Sequence, residues 1–306
     1  MENKITNIYI AGCGGMLGDA FYNVYSKDFN LTCSDKVVNE NWLNKLDFTD
    51  YEKYDYEVKK NNADLLIHLG AMTDLEECEE NPQKTYLNNT KSVEYAVQIS
   101  NEMQIPLMFI STAGIFDGQK NVYDDDDLPN PLSHYGKSKH EAEKFIEKNS
   151  NDYFIFRAGW MMGGGYKKDK KFVLKILNQI KNGEKILNIL NDKDGTPTYT
   201  FDFANQTLNL VNKNIKGKFN LVCEGLTSRV EVTREILKYY KIENKIQINK
   251  VSSKYFQKQY FAQRPLSERL LNNKLNKKKL NIMRNWKICL NEYLDAHYKD
   301  YLSDYT

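Results

Sequence analysis

Apolar residues cluster in short runs along the first half of the chain. "NIYIAG" (7–12), "NLTCSD" (30–35), "DLLIHLG" (64–70), "PLMFIST" (106–112) and "DYFIFRAG" (152–159) are each too short for a helix and end in small or polar residues. Runs of this kind predict strands buried on both faces. Between them lie stretches with helical patterning; the longest spans about 84–103 and another spans 135–148. Strands that alternate with helical crossovers predict a parallel sheet covered on both sides. Right-handed crossovers make a doubly wound order the simplest topology.

After Arg157 the pattern changes. "KKFVLKILNQI" sets Phe172, Val173, Ile176, Leu177 and Ile180 on one helical stripe. "GKFNLVC" (217–223) reads as a late strand. From Glu231 onward the chain is mostly helical and polar, with short strand-like pieces such as "KIQINKV". This part is expected to form a smaller, partly interleaved domain over the carboxyl ends of the strands, where ligands bind in such sheets. The boundaries expected are 1–158 with about 198–222 for the first domain, and about 159–197 with 223–306 for the second.

Composition adds limits. The chain has 306 residues, 41% of them hydrophobic, and a net charge of +2. Acids and bases nearly balance, which gives no electrostatic case for nucleic acid or a membrane surface. The lysine run 274–279 reads as a solvated helix face. Five cysteines, with no two at CxxC spacing, and four scattered histidines argue against a structural metal site, and none is expected. Reduced thiols fit a cytoplasmic protein. "MENKITNIYIAGCGG" holds no stretch apolar enough for a signal peptide, and no run approaches a membrane span.

Chemistry enters at "YIAGCGGMLGDAF", where Gly12, Gly15 and Gly18 recur every three residues between the first strand and the first helix. The first glycine permits a tight turn, the second a close approach to a pyrophosphate, the third close helix–strand packing. Helix N-terminal amides favour the anion. Asp35 follows at the end of the second strand, placed to accept from ribose hydroxyls, or merely a solvated strand-end acid. Its charge disfavours a 2′-phosphate, and Lys36 beside it opposes that effect. A nicotinamide dinucleotide, NAD(P)H, is therefore expected, with a lean towards NADH over NADPH. The fold expected is a Rossmann-type α/β sheet.

"SHYGKSKHEAEKF" (133–145) places Tyr135 one helical turn before Lys139. A free tyrosine titrates near 10 and is a weak acid–base catalyst at neutrality. An ammonium at about 4 Å, worth roughly 4 kcal/mol at an effective dielectric of 20, would lower it by about two to three units at most. Ser111 and Thr112 end the strand just before, so hydroxyls, phenol and ammonium are expected at one sheet edge.

Together GxxGxxG, "STAGIFDG" and "PLSHYGKSK" resemble the extended short-chain dehydrogenases/reductases, and within them the dTDP-4-dehydrorhamnose reductase-like branch. "LDFTDYE" (46–52), "GAMTDLEECEENP" (70–82), "FRAGWMMGGG" (156–165), "DGTPTYTFDFA" (194–204) and "AQRPLSERLLNNKL" (262–275) agree, so the resemblance covers nearly the whole chain. It implies that Tyr135 protonates the developing alkoxide of a sugar carbonyl. Lys139 would hold the nicotinamide ribose and tune the tyrosine, and Thr112 would orient the substrate oxygen. Gly12, Gly15, Met16, Leu17 and Gly18 would line the pyrophosphate turn, Asp47 and Phe48 would flank the adenine, and Gly70, Ala71 and Thr73 would touch the cofactor. Trp160 and Arg264 match positions facing the sugar or nucleotide; the alternatives are a core tryptophan and a guanidinium paired with an acid.

The chain departs from that pattern. Ala113 and Gly114 follow Thr112 where an Asp-Tyr pair is usual, Ala158-Gly159 replaces Thr-Ser before Trp160, Ala11 precedes the first glycine, and His68-Leu69 replaces Asn-Ala. The acid run Asp124 to Asp127 reads as a solvated loop; a divalent cation or a dimer contact are the alternatives. The resemblance implies a reductase of a nucleotide-linked 4-keto-6-deoxy sugar in deoxysugar or surface polysaccharide biosynthesis, delivering hydride to C4. Two alternatives stay open: an epimerase or dehydratase that keeps its NAD, and a non-catalytic dinucleotide-binding subunit resembling the beta regulatory subunit of methionine adenosyltransferase. The C-terminal "NEYLDAHYKDYLSDYT" suits either a docked helix or the contact of a homodimer.

Overall fold

The computed structural model describes residues 5–303. Apolar alternation builds its first half. Along β1 (Asn7–Ala11), Ile8 and Ile10 face one side of the sheet while Tyr9 and Ala11 face the other, and all four are buried. α1 (Met16–Tyr25), β2 (Asn30–Asp35), β3 (Leu43–Lys45), α2 (Tyr51–Lys60) and β4 (Leu65–His68) follow. α3 (Leu75–Glu80), α4 (Pro82–Tyr86), α5 (Ser92–Met103), β5 (Leu107–Thr112), α6 (His134–Asn149) and β6 (Tyr153–Ala158) complete this half.

The second half is more broken. It runs β7 (Trp160–Met162), α7 (Gly165–Lys168), α8 (Phe172–Lys181), β8 (Ile186–Leu190), β9 (Asp194–Gly195), β10 (Pro197–Tyr199) and α9 (Thr200–Asn212). Then come β11 (Gly217–Leu221), β12 (Thr227–Ser228), α10 (Arg229–Tyr239), β13 (Gln247–Val251), β14 (Ser267–Glu268), α11 (Asn273–Lys277) and α12 (Trp286–Tyr298).

Seven strands form one parallel sheet in the order β11-β6-β5-β4-β1-β2-β3. Strand order reverses between β1 and β4, which opens a crevice at their carboxyl ends. The late strand "GKFNLVC" joins this sheet beside β6. α9 packs on α1, where the Tyr25 hydroxyl donates to Thr207 at 2.9 Å. Three small sheets, β10-β7, β12-β9-β14 and β13-β8, build the wall above the crevice. The helical stripe of 172–180 is α8, with Val173, Ile176, Leu177 and Ile180 buried.

Two expectations change, and two elements are new. The helix expected over 84–103 is α4 and α5 joined by a wide turn at Leu87–Lys91 with i→i+5 geometry. The widening turns the Asn88, Asn89 and Thr90 side chains inward: Asn89 bonds both backbone groups of Met72 and the Ser138 hydroxyl, and Thr90 donates to the Ser138 carbonyl. The acid run is only in part the solvated loop expected: Asp126 is exposed, but Asp125 turns inward. Asp125 is 1% exposed and accepts from the amides of Asn220 (2.6 Å) and Lys274 (3.0 Å), so it stitches β11 to α11. The carboxyl pays for that burial with a pKa above the usual range. α2 and β3 had no clear sequence signal; the Asp50 carboxylate caps α2 by accepting from the Lys53 amide.

At the C-terminus the stretch from Asn291 is a docked helix. Cys289, Leu290, Tyr293, Leu294 and Tyr298 of α12 are buried, and the Tyr293 hydroxyl donates to the Gly163 carbonyl at 2.8 Å. Its last three residues, like the first four of the chain, lie outside the described residues. Lys274 pairs with Asp126 at 2.6 Å, and the run beyond it, 276–279, is exposed. All five cysteines are free thiols in the interior. Among the described residues, no helix is long and apolar enough to cross a membrane.

Candidate active site

A cleft of about 1850 Å³ runs from the glycine turn, across the ends of β1, β4 and β5, to the small sheets of the second half. Gly12, Gly15, Met16, Leu17, Gly18, Asp35, Lys36, Phe48, Gly70, Ala71, Thr73, Thr112, Tyr135, Lys139, Trp160 and Arg264 all line it. Asp47 stands behind its rim, bonded to Lys36 at 3.1 Å.

The turn explains its own glycines. Gly12 has φ +80°, and a Cβ there would lie 2.2 Å from the Gly70 backbone, so the ends of β1 and β4 touch without side chains. A Cβ on Gly18 would sit 1.9 Å from the Cys13 carbonyl oxygen. Gly15 differs: it is the N-cap of α1, and a Cβ there would meet nothing within 4 Å. The space above Gly15 and the free amides of α1 form a cradle that fits a pyrophosphate. Asp35 Oδ2 accepts from the Gly14 amide at 2.9 Å and Oδ1 from Val37 at 3.1 Å. Lys36 is engaged elsewhere, with Asp47, with Asn88 Oδ1 at 2.8 Å and over the Phe48 ring at 4.9 Å.

At the other end, Ser133 caps α6 by accepting from the Gly136 amide at 3.1 Å. That cap starts the helix where Tyr135 and Lys139 share a stripe. Ala113 to Ile115 form one tight turn after β5, and Thr112 Oγ1 accepts from the Gly114 amide at 3.1 Å. Gly136 presses on this turn; a Cβ there would lie 2.3 Å from the Gly114 carbonyl oxygen. Thr112 and Tyr135 are thereby held side by side.

The electrostatics differ from the sequence argument. Burial pushes the Tyr135 phenol up to about 12, with the neighbouring Thr112 hydroxyl pulling it down and the Glu268 charge adding a little. The expected lowering by Lys139 is absent. Lys139 is 3% exposed, lies 4.1 Å from the centroid of the Phe109 ring, and is itself pushed down to about 7 by burial, with Glu143 opposing. At full burial, desolvation of each group outweighs any attraction between them. Tyr135 is consequently a fully protonated donor at neutral pH. His68 stands nearby, held between the Tyr54 hydroxyl and Ser92 Oγ, and burial first and then the Lys139 charge lower it to about 3.

The far wall holds groups that sequence reasoning did not assign. Arg264 is fully engaged: Nη1 and Nη2 each donate to Glu76 at 2.7 Å. Arg229 lies 3.7 Å from the Trp160 ring centroid and 4.6 Å from that of Phe172. Trp160 Nε1 donates to Glu268 Oε2 at 2.8 Å. Lys193 donates to the carbonyls of Arg264 and Pro265. Glu76 and Glu268 fell within the quoted motif stretches, so proximity to Thr73 and Arg264 was the available signal. Arg229 carried none.

Known proteins resemble this chain along most of its length. The family model described as RmlD substrate binding domain matches residues 6–299. The spore coat polysaccharide biosynthesis protein SpsK of Bacillus subtilis is 26% identical over 251 residues, 79% of this chain and 82% of that protein. The dTDP-4-dehydrorhamnose reductase of Aggregatibacter actinomycetemcomitans is 27% identical over 70% of each chain. A crystal structure of a dTDP-4-dehydrorhamnose reductase from Clostridium acetobutylicum superposes with a TM-score of 0.87 at 27% identity, covering 95% of this chain and 99% of that one. With the cradle, the Thr112–Tyr135–Lys139 end and a model match from β1 into α12, the chain belongs to the RmlD substrate binding domain family.

Proposed function

We propose that this protein is an NAD(P)H-dependent reductase of a nucleotide-linked 4-keto-6-deoxy sugar, working in deoxysugar or surface polysaccharide biosynthesis. The observation that carries the reading is the meeting of Thr112, Tyr135 and Lys139 at one end of a cleft whose other end is the glycine cradle. Relatives named as dTDP-4-dehydrorhamnose reductases support the sugar class.

The nicotinamide, when bound, supplies a hydride. The chain supplies the rest. Gly12, Gly15, Met16, Leu17 and Gly18 would accommodate the pyrophosphate; Asp35 would accept from the adenosine ribose; Phe48, Gly70, Ala71 and Thr73 line the path between, with Asp47 steadying Lys36. Lys139 would hold the nicotinamide ribose. Thr112 orients the sugar carbonyl oxygen by a hydrogen bond, and Tyr135 transfers its phenolic proton to that oxygen as negative charge develops there. Trp160 and Arg264 bound the sugar and nucleotide side. Asp35 carries an uncompensated charge because Lys36 is turned to Asp47 and Asn88, which favours NADH over NADPH. We propose the same division into 1–158 with about 198–222, and about 159–197 with 223–306, since β11 and α9 pack with the large sheet.

The test is loss of reduced cofactor with NADH or NADPH and a panel of nucleotide-linked 4-keto-6-deoxy sugars. Stoichiometric oxidation with one sugar, falling by about 10²- to 10⁴-fold in Tyr135→Phe, is the expected result. Near wild-type turnover in that variant would sink the mechanism. Purified protein that carries tightly bound NAD and oxidises no cofactor would favour an epimerase or dehydratase.

A further inference from the structure

At the reacting end the cleft is lined by Ser111, Thr112, Tyr135 and Lys139, while Ala113 and Gly114, directly after Thr112, are buried behind it and add no polar side chain. A hexose nonetheless presents ring hydroxyls that need acceptors. The far wall offers Trp160, Lys193, Arg229 and Arg264, and each of these is a donor only. Two carboxylates stand beside them, and Glu76 spends both its oxygens on Arg264, which leaves Glu268. Glu268 lies on β14, paired with Gly195 of β9, and Gly195 backs directly onto the Trp160 indole, where a Cβ would come within 2.1 Å of the ring. This stacking of strands fixes the carboxylate. Its Oε2 accepts from Trp160 Nε1 at 2.8 Å. Among the described residues, Oε1 accepts no hydrogen bond and neither oxygen forms an ion pair, although Arg229 covers the same indole.

Holding the indole alone would not require a charge; a neutral amide oxygen would serve. Glu268 lines the cleft and its Oε1 is not sealed in the interior, so a hydroxyl that enters the cleft can donate to it and replace solvent there. Its field reaches the reacting end, since it contributes to the raised pKa of Tyr135.

We propose that Glu268 is a specificity-determining residue, whose Oε1 accepts a hydrogen bond from a ring hydroxyl of the hexose held beside Tyr135 and Thr112. The assignment rests on the reading of the cleft as a nucleotide-sugar site. Trp160 is then a positioning residue that aims the carboxylate.

Glu268→Gln tests it, because the amide oxygen can still accept from Trp160 while an NH₂ group replaces the free acceptor. Binding to the cofactor-loaded protein is measured by calorimetry with dTDP-, UDP- and GDP-linked 6-deoxyhexoses, their 2-deoxy and 3-deoxy analogues, and the matching nucleoside diphosphates. The variant, with an unchanged melting temperature, is expected to bind the nucleotide sugar about ten- to a hundredfold more weakly. It should bind the nucleoside diphosphate as the wild type does, and the two proteins should bind one of the deoxy analogues alike. Equal losses for sugar nucleotide and nucleoside diphosphate, no loss at all, or a wild type that binds none of the sugars would overturn the assignment. Glu268-dependent binding without any cofactor oxidation would leave Glu268 in place and remove the reductase reading instead.

Discussion

Glu76 and Arg264 meet across the mouth of the cleft through two parallel 2.7 Å hydrogen bonds. Glu76 belongs to the first turn of α3, and Arg264 to the segment that leads into β14, so the pair ties the two walls together. The geometry is the bidentate fork that suits arginine and a carboxylate. Both side chains keep about a quarter of their surface in solvent, which limits the gain. A double-mutant cycle with Glu76→Gln and Arg264→Met is expected to give a coupling of about 0.5–1 kcal/mol. Denaturant melts of the four proteins measure it; a coupling of zero would mean the pair does not persist in solution.

Two glycines of one motif should respond oppositely to the same change. Gly15→Ala adds a methyl to open space in the cleft, so its melting temperature should hold while cofactor affinity falls by about tenfold or more. Gly18→Ala drives a methyl into the Cys13 carbonyl and should cost about 1–3 kcal/mol. Thermal melts beside cofactor titrations separate the two; a shared phenotype would refute the assignment of roles.

Lys139 makes stability depend on pH. In the unfolded chain it is protonated below about 10.4. In the folded protein burial brings it to about 7. Between those values unfolding takes up a proton, so stability rises with pH from 7 to about 10.4, and the penalty is complete below 7. Lys139→Met removes that penalty. It should abolish turnover yet stabilise the protein by up to about 4 kcal/mol at pH 6, with the gain fading as pH approaches 10. Denaturant midpoints at pH 6, 8 and 10 check this; a gap that does not change with pH would show that the ammonium is solvated.

Asp35 governs the cofactor choice. Asp35→Asn keeps an acceptor for the Gly14 amide and removes the charge. The ratio of kcat/KM for NADH over NADPH should fall by about tenfold, mainly through better use of NADPH. An unchanged ratio would locate the discrimination elsewhere.

The parallel sheet and the reacting end were legible because each leaves a local mark. Buried strands such as "DLLIHLG" are apolar runs, the cradle is four glycines in seven residues, and Tyr135 and Lys139 lie one turn apart. What escaped is made by distant pairings. Trp160 and Glu268 are 108 positions apart and meet only because β14 aligns with β9. Glu76 and Arg264 are 188 apart. The raised Tyr135 and lowered Lys139 escaped for another reason: attraction between charges follows from spacing along a helix, whereas desolvation, which dominates at full burial, depends on packing by distant residues. Asp125 was misread because four consecutive acids look solvated, and nothing local reveals that one of them turns inward to β11.

Glu143 continues the stripe of Tyr135 and Lys139 by one more turn and is completely buried against Arg157 of β6, with Nη2 at 2.7 Å and Nε at 2.9 Å from its oxygens. The same guanidinium holds the Asp125 carbonyl at 3.0 Å. This pair acts as a datum from which the helix takes both its rotation and its height above the sheet. The long connection from Thr112 to Ser133 is pinned to that datum at its middle, which divides it into two short arcs. Change in either arc can reshape the sugar wall while the proton donor stays in register, so divergence in substrate choice should gather at 117–122 and 128–132 and spare Asp125, Glu143 and Arg157.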